Sequence, residues 1–114
     1  MLLPNRREAF VSYEKIALHL LSDGHPFGRH KAVFFRTFGF SGASWQTLAQ
    51  ALREHAQLEV TNVEETAFGT RYTIEGPLAA PDGRTPLVRT VWFLRPGEEN
   101  PRFVTAYPLR RSAG

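Results

Sequence analysis

The spacing of apolar residues changes once along this 114-residue chain, near residue 57, and that change limits the folds open to it. Before this point, apolar residues recur at intervals of three and four, which is the spacing of a helix with one buried side. After it, short runs rich in β-branched and aromatic residues lie between turn residues, as strands do. Helices followed by strands, without alternation, predict an α+β domain.

Three helices are predicted in the first part, near residues 13–22, 29–38 and 44–56. Ser12 is a candidate N-cap for the first, and Gly24 is the residue expected to end it. All three carry apolar residues along one stripe, so each has a side suited to burial. We therefore expect them to pack together on one face of a sheet.

Four strands are predicted between about residues 58 and 108. Their connections are the short turn sequences "AFG" and "PDGR" and the loop "PGEENP". Parallel pairing would need long crossovers, so strands joined this closely pair as an antiparallel meander in chain order. The expected architecture is one domain over residues 1–114, with three N-terminal helices on one face of this sheet and a short tail at 109–114.

The face of the sheet that the helices leave open is harder to assign from the sequence. Strict alternation puts Phe103, Thr105 and Tyr107 on one face of the last strand. In the third strand, Arg89 and Thr90 point to opposite faces, and each has apolar neighbours on its own face. Periodicity therefore leaves open which of these two polar residues reaches the open face.

Each polar residue of these strands also has a purely structural interpretation. Thr90 and Thr105 are good strand formers, and Tyr107 can close a core with its hydroxyl at the rim. An arginine inside a sheet must be exposed or paired, and Glu75 and Glu65 are the candidate partners of Arg89.

The absence of cysteine excludes disulfides, thiolate nucleophiles and cysteine-bound zinc. The four histidines lack the spacing of a zinc site, so no metal and no cofactor is expected. No stretch reaches the roughly 18 apolar residues of a membrane span, and the N-terminus has the wrong order of charge for a signal peptide. These features predict a cytoplasmic protein with no membrane partner.

The basic residues are mostly arginine, which bears on the partner. Of 14 basic residues, 12 are arginine, the net charge is +3 and the pI is about 9.8. Guanidinium groups form bidentate hydrogen bonds to phosphates and stack on bases, so RNA is a candidate partner. The alternative is that a GC-rich genome favours arginine over lysine throughout.

Several motifs together resemble a family of small bacterial domains. They are "HPFGRHKAVFF", "RTFGF", "EGPL", "PDGR", "VRTVWFL" and "VTAYP", and the likeness extends over residues 4–108. That family in turn looks like part of the RNase-toxin group that unites barnase, EndoU, RelE and colicin nuclease domains. The features shared with this group are the order of helices and strands, a His/Lys segment at the second helix and "TAY" in the last strand.

The resemblance implies a toxin-like endoribonuclease that cleaves RNA without a metal. In such chemistry a base activates the ribose 2′-OH, cations stabilise the charged phosphorane, and an acid protonates the leaving 5′-oxygen. The residues that match these catalytic roles are His25, Lys31, Arg89, Thr105 and Tyr107. Three further residues, His30, Arg71 and Thr90, are candidates for substrate binding.

A second class of function stays open at this stage. The chain lacks an obvious pair of histidines, or a Glu and His pair, placed as acid and base. A non-catalytic binding module of antitoxin or immunity type, or a protein-interaction domain using an edge strand, is the alternative. A cognate antitoxin or immunity protein is the partner expected for a toxin, and a small acidic protein encoded alongside would favour that role.

Overall fold

A computed structural model of the protein describes residues 1–21 and 29–109. The first half of the chain forms helical elements and short 3-10 turns. In order, they are the 3-10 turn Arg6–Glu8, a π-helical segment Lys15–Leu20, α1 Arg29–Thr37, the 3-10 turn Gly42–Ser44 and α2 Trp45–His55. Within the described residues, no helix has the length and apolar character needed to cross a membrane.

The second half of the chain forms one four-stranded sheet. Its strands are β1 Asn62–Thr66, β2 Gly69–Pro77, β3 Leu87–Leu94 and β4 Arg102–Pro108. They pair in the order β1-β2-β3-β4, and every neighbouring pair is antiparallel. The predicted antiparallel meander and the α+β class are therefore confirmed.

The expectation of three regular helices is only partly met, because the first one is not an α-helix. Ser12 caps its start as predicted, since its Oγ accepts a hydrogen bond from the Lys15 N–H over 3.3 Å. The helix then widens, and the Leu21 N–H bonds the Ile16 carbonyl at 2.8 Å, the five-residue spacing of a π-helix. The predicted stop at Gly24 lies outside the described residues.

Glycine permits the tight turn between β1 and β2. Gly69 has a φ of 140°, and a side chain there would place its Cβ 2.5 Å from the Leu94 carbonyl oxygen. Thr66 closes the same turn, because its hydroxyl donates to the Gly69 carbonyl and accepts the Phe68 N–H. The "AFG" segment therefore forms the hairpin that the sequence predicted.

One hydrophobic core lies between the helices and the sheet. Side chains from α2, the π-helical segment and α1 meet side chains from β2, β3 and β4 there. The largest members that are fully buried include Trp92, Phe35, Leu48, Leu52 and Ile74. Their burial fixes which face of the sheet the helices cover.

A chain of hydrogen bonds crosses this core and joins α2 to the sheet. Trp92 Nε1 donates to Thr90 Oγ1 at 2.9 Å, and Thr90 Oγ1 lies 2.9 Å from His55 Nδ1. The other ring nitrogen, His55 Nε2, is 3.1 Å from the Gly76 carbonyl oxygen. One neutral tautomer satisfies every group: Nε2–H donates to Gly76, Nδ1 accepts from Thr90, and Thr90 accepts from Trp92.

Burial makes His55 a source of pH-dependent stability. Loss of solvation lowers its pKa below the ordinary 6.5, although backbone carbonyls oppose the shift. As pH falls below 6.5, the unfolded chain takes up a proton at this residue that the folded chain does not. The free energy of unfolding therefore decreases until the pH reaches the folded-state pKa of His55.

We expect urea denaturation to show this loss between about pH 7.5 and pH 5. The matched variant is His55→Gln, whose amide does not titrate and which should lose less stability over the same range. The remaining histidines are present in both proteins, so the difference reports His55. Equal slopes for the two proteins would contradict the assignment.

A bulge in β4 changes the face of one predicted residue. Val91 pairs with Thr105, whereas the next residue, Trp92, pairs with Phe103, so β4 carries one extra residue at this point. Phe103 is thereby turned into the core, where its ring lies 5.4 Å from that of Trp92. The expectation that Phe103 shares a face with Thr105 and Tyr107 is wrong for this reason.

Candidate functional site

The face of the sheet opposite the core, called the open face here, carries most of the polar strand residues. The register of the strands places Arg71, Thr73, Glu75, Arg89, Thr105 and Tyr107 on it. This arrangement answers the question that the sequence left open. Arg89 is exposed on the open face, whereas Thr90 is fully buried on the helix side.

Lys31 of α1 reaches two side chains at the β4 edge of the open face. Its Nζ donates to Thr105 Oγ1 at 3.0 Å and lies 3.9 Å from the centre of the Tyr107 ring. Arg89 is paired directly opposite Tyr107 in the register. Four of the residues predicted for catalysis are thus neighbours, and we refer to Lys31, Arg89, Thr105 and Tyr107 as the Lys31 cluster.

The charge of Lys31 is only weakly compensated. Within the described residues its contacts are a neutral hydroxyl and an aromatic ring, with no carboxylate. Partial burial lowers its pKa from the ordinary 10.5, because desolvation disfavours the charged form. An anion bound beside the ammonium group would replace the lost solvation, so the position favours a negatively charged ligand.

Hydrogen-bond donors of the cluster remain available to such a ligand. An ammonium group cannot accept, so Thr105 Oγ1 must use a lone pair for Lys31 and keeps its own hydrogen. That hydrogen has no acceptor among the described residues. Lys31 retains two further N–H groups, and Tyr107 is 42% exposed. The cluster therefore presents several donors on one side.

Arg89 differs from Lys31 because it has a carboxylate partner. Its Nε and Nη2 lie 2.9 and 2.7 Å from Glu75 Oε2, which is the cross-strand pair that the sequence suggested. The two side chains are 46% and 36% exposed, so solvent screens the pair and it contributes little to stability. Arg89 has further N–H groups for a phosphate, but Glu75 offsets part of its attraction.

The other predicted site residues lie apart from the cluster or outside the described region. Arg71 shares the open face but lies four residues along β2 from Glu75, the partner of Arg89. This spacing puts the backbone of Arg71 about 13 Å from that of Glu75. Thr90 is buried among core side chains and bonds His55 and Trp92. His25 is outside the described residues; His30 belongs to α1, and its side chain is not described.

The structure also contains a pocket that the sequence did not indicate. It has a volume of about 660 Å³ and continues the open face beyond the Lys31 cluster, at the end of β4; we call it the end pocket. Its walls are Phe34, Phe38, Pro77, Gly83, Arg84, Thr85, Pro86, Leu87 and Leu109. Both phenylalanines also pack, partly buried, against the hydrophobic core. The available signal was the apolar character of three residues at open-face positions at or just beyond strand ends: Pro77, Leu87 and Leu109.

A smaller cavity of about 320 Å³ lies on the other side of Arg89. Its lining residues are all polar or charged: Thr61, Asn62, Thr73, Glu75 and Arg89. Throughout residues 1–21 and 29–109, no three histidine or acidic side chains come close enough to hold a metal ion together.

The fold is shared with a solved structure. A chain in the "Contact-dependent growth inhibition toxin - immunity protein complex from Klebsiella pneumoniae 342" matches with a TM-score of 0.71 and 14% sequence identity. The match covers 87% of this chain and 98% of that chain. At this identity the likeness concerns the fold. The match therefore shows a shared α+β architecture, and it shows neither a toxin's role nor RNA cleavage.

Comparison of the sequence with protein families gives a match over nearly the whole chain. A search among curated proteins finds no match. Residues 2–110 match a family described as "Domain of unknown function (DUF6883)", and this range includes β1 to β4, α1, α2 and the whole Lys31 cluster. The chain belongs to the DUF6883 family.

Proposed function

We propose that this protein is a toxin-type endoribonuclease that cleaves RNA through attack of the substrate's 2′-OH and needs no divalent metal. The observation that carries the proposal is the weakly compensated, half-buried Lys31 held beside Thr105 and Tyr107 on the open face. The fold shared with a chain of a toxin–immunity complex and the arginine-rich composition agree with it. A cytoplasmic site of action and a cognate immunity protein are part of the same proposal.

Each residue of the Lys31 cluster has a distinct role in the proposed reaction. Lys31 binds a non-bridging phosphate oxygen and stabilises the negative charge that grows in the transition state. Thr105 positions Lys31 and donates its own hydrogen to the same phosphate. Tyr107 supports the ammonium group with its ring, and Arg89 adds a second cation. A positive charge fixed in this way can serve where other nucleases use a metal ion.

The proton transfers are assigned to histidine. His25 is proposed to remove the 2′-OH proton, and His30 to bind substrate beside it, both near the N-terminal end of α1 in sequence. An imidazole titrates close to neutral pH, so it can act as base and then as acid. The phosphorane forms as the 2′-oxygen bonds phosphorus. It collapses when the bond to the 5′-oxygen breaks, and the protonated histidine gives its proton to that oxygen.

The experiment is cleavage of total RNA by the full chain in excess EDTA. We expect wild-type activity to persist, because the proposed charge stabilisation comes from side chains. The 5′ fragments should end in 2′,3′-cyclic phosphates, since the nucleophile belongs to the substrate. Complete inhibition by EDTA, or products with 3′-hydroxyl ends, would overturn this mechanism.

An immunity-type binding module is the second candidate. The matched structure contains both a toxin and an immunity protein, and a shared fold alone does not separate these two roles. A module of this kind would bind a toxin domain encoded beside it, and purified protein would leave RNA intact both with and without added Mg²⁺. Cleavage that Lys31→Ala abolishes would exclude this candidate.

A further inference from the structure

The end pocket lies next to the Lys31 cluster, both along the sheet and along helix α1. On the sheet, Leu87 and Leu109 are the next same-face residues after Arg89 and Tyr107, which puts them about 7 Å further along their strands. A hydrogen bond of 3.0 Å from the Leu109 N–H to the Leu87 carbonyl continues the pairing of β3 and β4 to this point. The pocket is therefore an extension of the candidate site.

Helix α1 also links the Lys31 cluster to the end pocket. Phe34 and Phe38 follow Lys31 by three and seven residues, so the three side chains lie along one side of the helix. Along the axis, the two rings are about 4.5 and 10.5 Å from Lys31. If a ligand binds Lys31 through a phosphate, the group attached to that phosphate can therefore reach the end pocket.

The chemistry of the end pocket suits a flat ring with polar edges. Most of its lining residues have apolar or aromatic side chains, but polar groups contribute about half of its surface. Its volume falls in the range of small-molecule sites. Arg84 supplies a planar guanidinium group, which lies 4.3 Å from the centre of the Phe38 ring. Bases stack on arginine planes and on aromatic side chains.

Arg84 is also held in place, and its charge is compensated. Its Nε donates to Asp82 Oδ2 at 2.6 Å, and its Nη2 donates to the Thr37 carbonyl at 2.9 Å. Hydrogen bonds from Arg84 lower the pKa of Asp82, so this carboxylate stays ionised. A second phosphate would meet Asp82 as well as Arg84, whereas a neutral base meets a preformed platform. The end pocket is therefore suited to a base more than to a phosphate.

We propose that the end pocket binds an unpaired nucleobase next to the phosphate held by the Lys31 cluster. This inference rests on the proposed function, and it specifies single-stranded or looped RNA as the substrate class. A base inside a duplex is stacked and paired on both sides, so it cannot enter the pocket without first being turned out.

The test compares ligands that differ only in the base. The four nucleoside 5′-monophosphates and ribose 5-phosphate are titrated into the full chain, and binding is followed by the amide resonances of Gly83, Thr85 and Leu87. We expect at least one nucleotide to bind about 10-fold more tightly than ribose 5-phosphate. Leu87→Trp, which fills the pocket from a position that is 38% exposed, should remove most of this preference.

Matched variants keep the outcomes separate. Val63→Trp adds the same ring on β1, away from the pocket, and should keep the preference; Thr85→Trp fills the pocket from a loop if Leu87→Trp fails to fold. Equal binding of ribose 5-phosphate and all nucleotides, or a preference that survives both filling variants, would overturn the subsite. A preference for nucleotides without RNA cleavage would support the subsite and contradict only the proposed chemistry.

Discussion

Replacing Lys31 with alanine should lower the rate of RNA cleavage by about 30- to 1,000-fold, which corresponds to about 2–4 kcal/mol of transition-state stabilisation. The reason is that, of the two cations in the cluster, Lys31 is the one without a carboxylate partner among the described residues. Arg89→Ala should have a smaller effect, because Glu75 already offsets part of that charge. The measurement is single-turnover cleavage in EDTA at matched protein concentration.

The chain provides a matched control in its second lysine. Lys15→Ala removes the same charge from the π-helical segment and should leave the rate unchanged. Tyr107→Phe keeps the ring beneath Lys31 and should retain most activity, whereas Tyr107→Leu removes the ring and should lose more. Thermal unfolding establishes that each variant is folded. Wild-type rates in a folded Lys31→Ala protein would end the assignment of Lys31.

Thr90→Val should lower the free energy of unfolding by about 2–6 kcal/mol, a large part of the total for a domain of this size. Valine has the shape of threonine but lacks the hydroxyl, so two buried groups lose their partner at once. Trp92 Nε1–H would have no acceptor and His55 Nδ1 no donor. Each buried group left unpaired costs about 1–3 kcal/mol. Urea denaturation measures the change.

Two further substitutions at threonine isolate this effect. Thr90→Ser keeps the hydroxyl and loses one methyl group, so it should cost about 1 kcal/mol. Thr73→Val makes the same chemical change on the open face of β2 and should alter stability by less than about 0.5 kcal/mol. A Thr90→Val protein as stable as the Thr73→Val protein would show that the buried network contributes nothing.

The order of elements follows from local properties that a sequence carries openly. Apolar spacing identified α1 and α2, and short turns between strands left an antiparallel meander as the available pairing. The π-helical segment was beyond this reasoning. Its apolar residues have ordinary helical spacing, and the wider hydrogen bond from Leu21 to Ile16 depends on how the segment packs.

The composition of the candidate site was predictable to the extent that residue chemistry was informative. Four of the candidates named from the sequence lie together in the structure: Lys31, Arg89, Thr105 and Tyr107. Lys31 and Thr105, which share a hydrogen bond, are 74 residues apart in the sequence. Arg71 and Thr90 were equally plausible by type, yet neither belongs to the cluster. His25 and His30 keep their roles as predictions.

By itself, the sequence determined the α+β class, the pairing of the strands and the chemical types available to a site, because these depend on local spacing and composition. Only the tertiary structure decided which strand residues lie on which face of the sheet. The bulge between Val91 and Trp92 shifts the alternation of β4 by one residue, which turns Phe103 inward while Thr105 and Tyr107 stay on the open face. The packing of α1 beside β4 then brings Lys31 to them. Such contacts join residues far apart in sequence, and a pattern read over neighbouring residues carries no information about them.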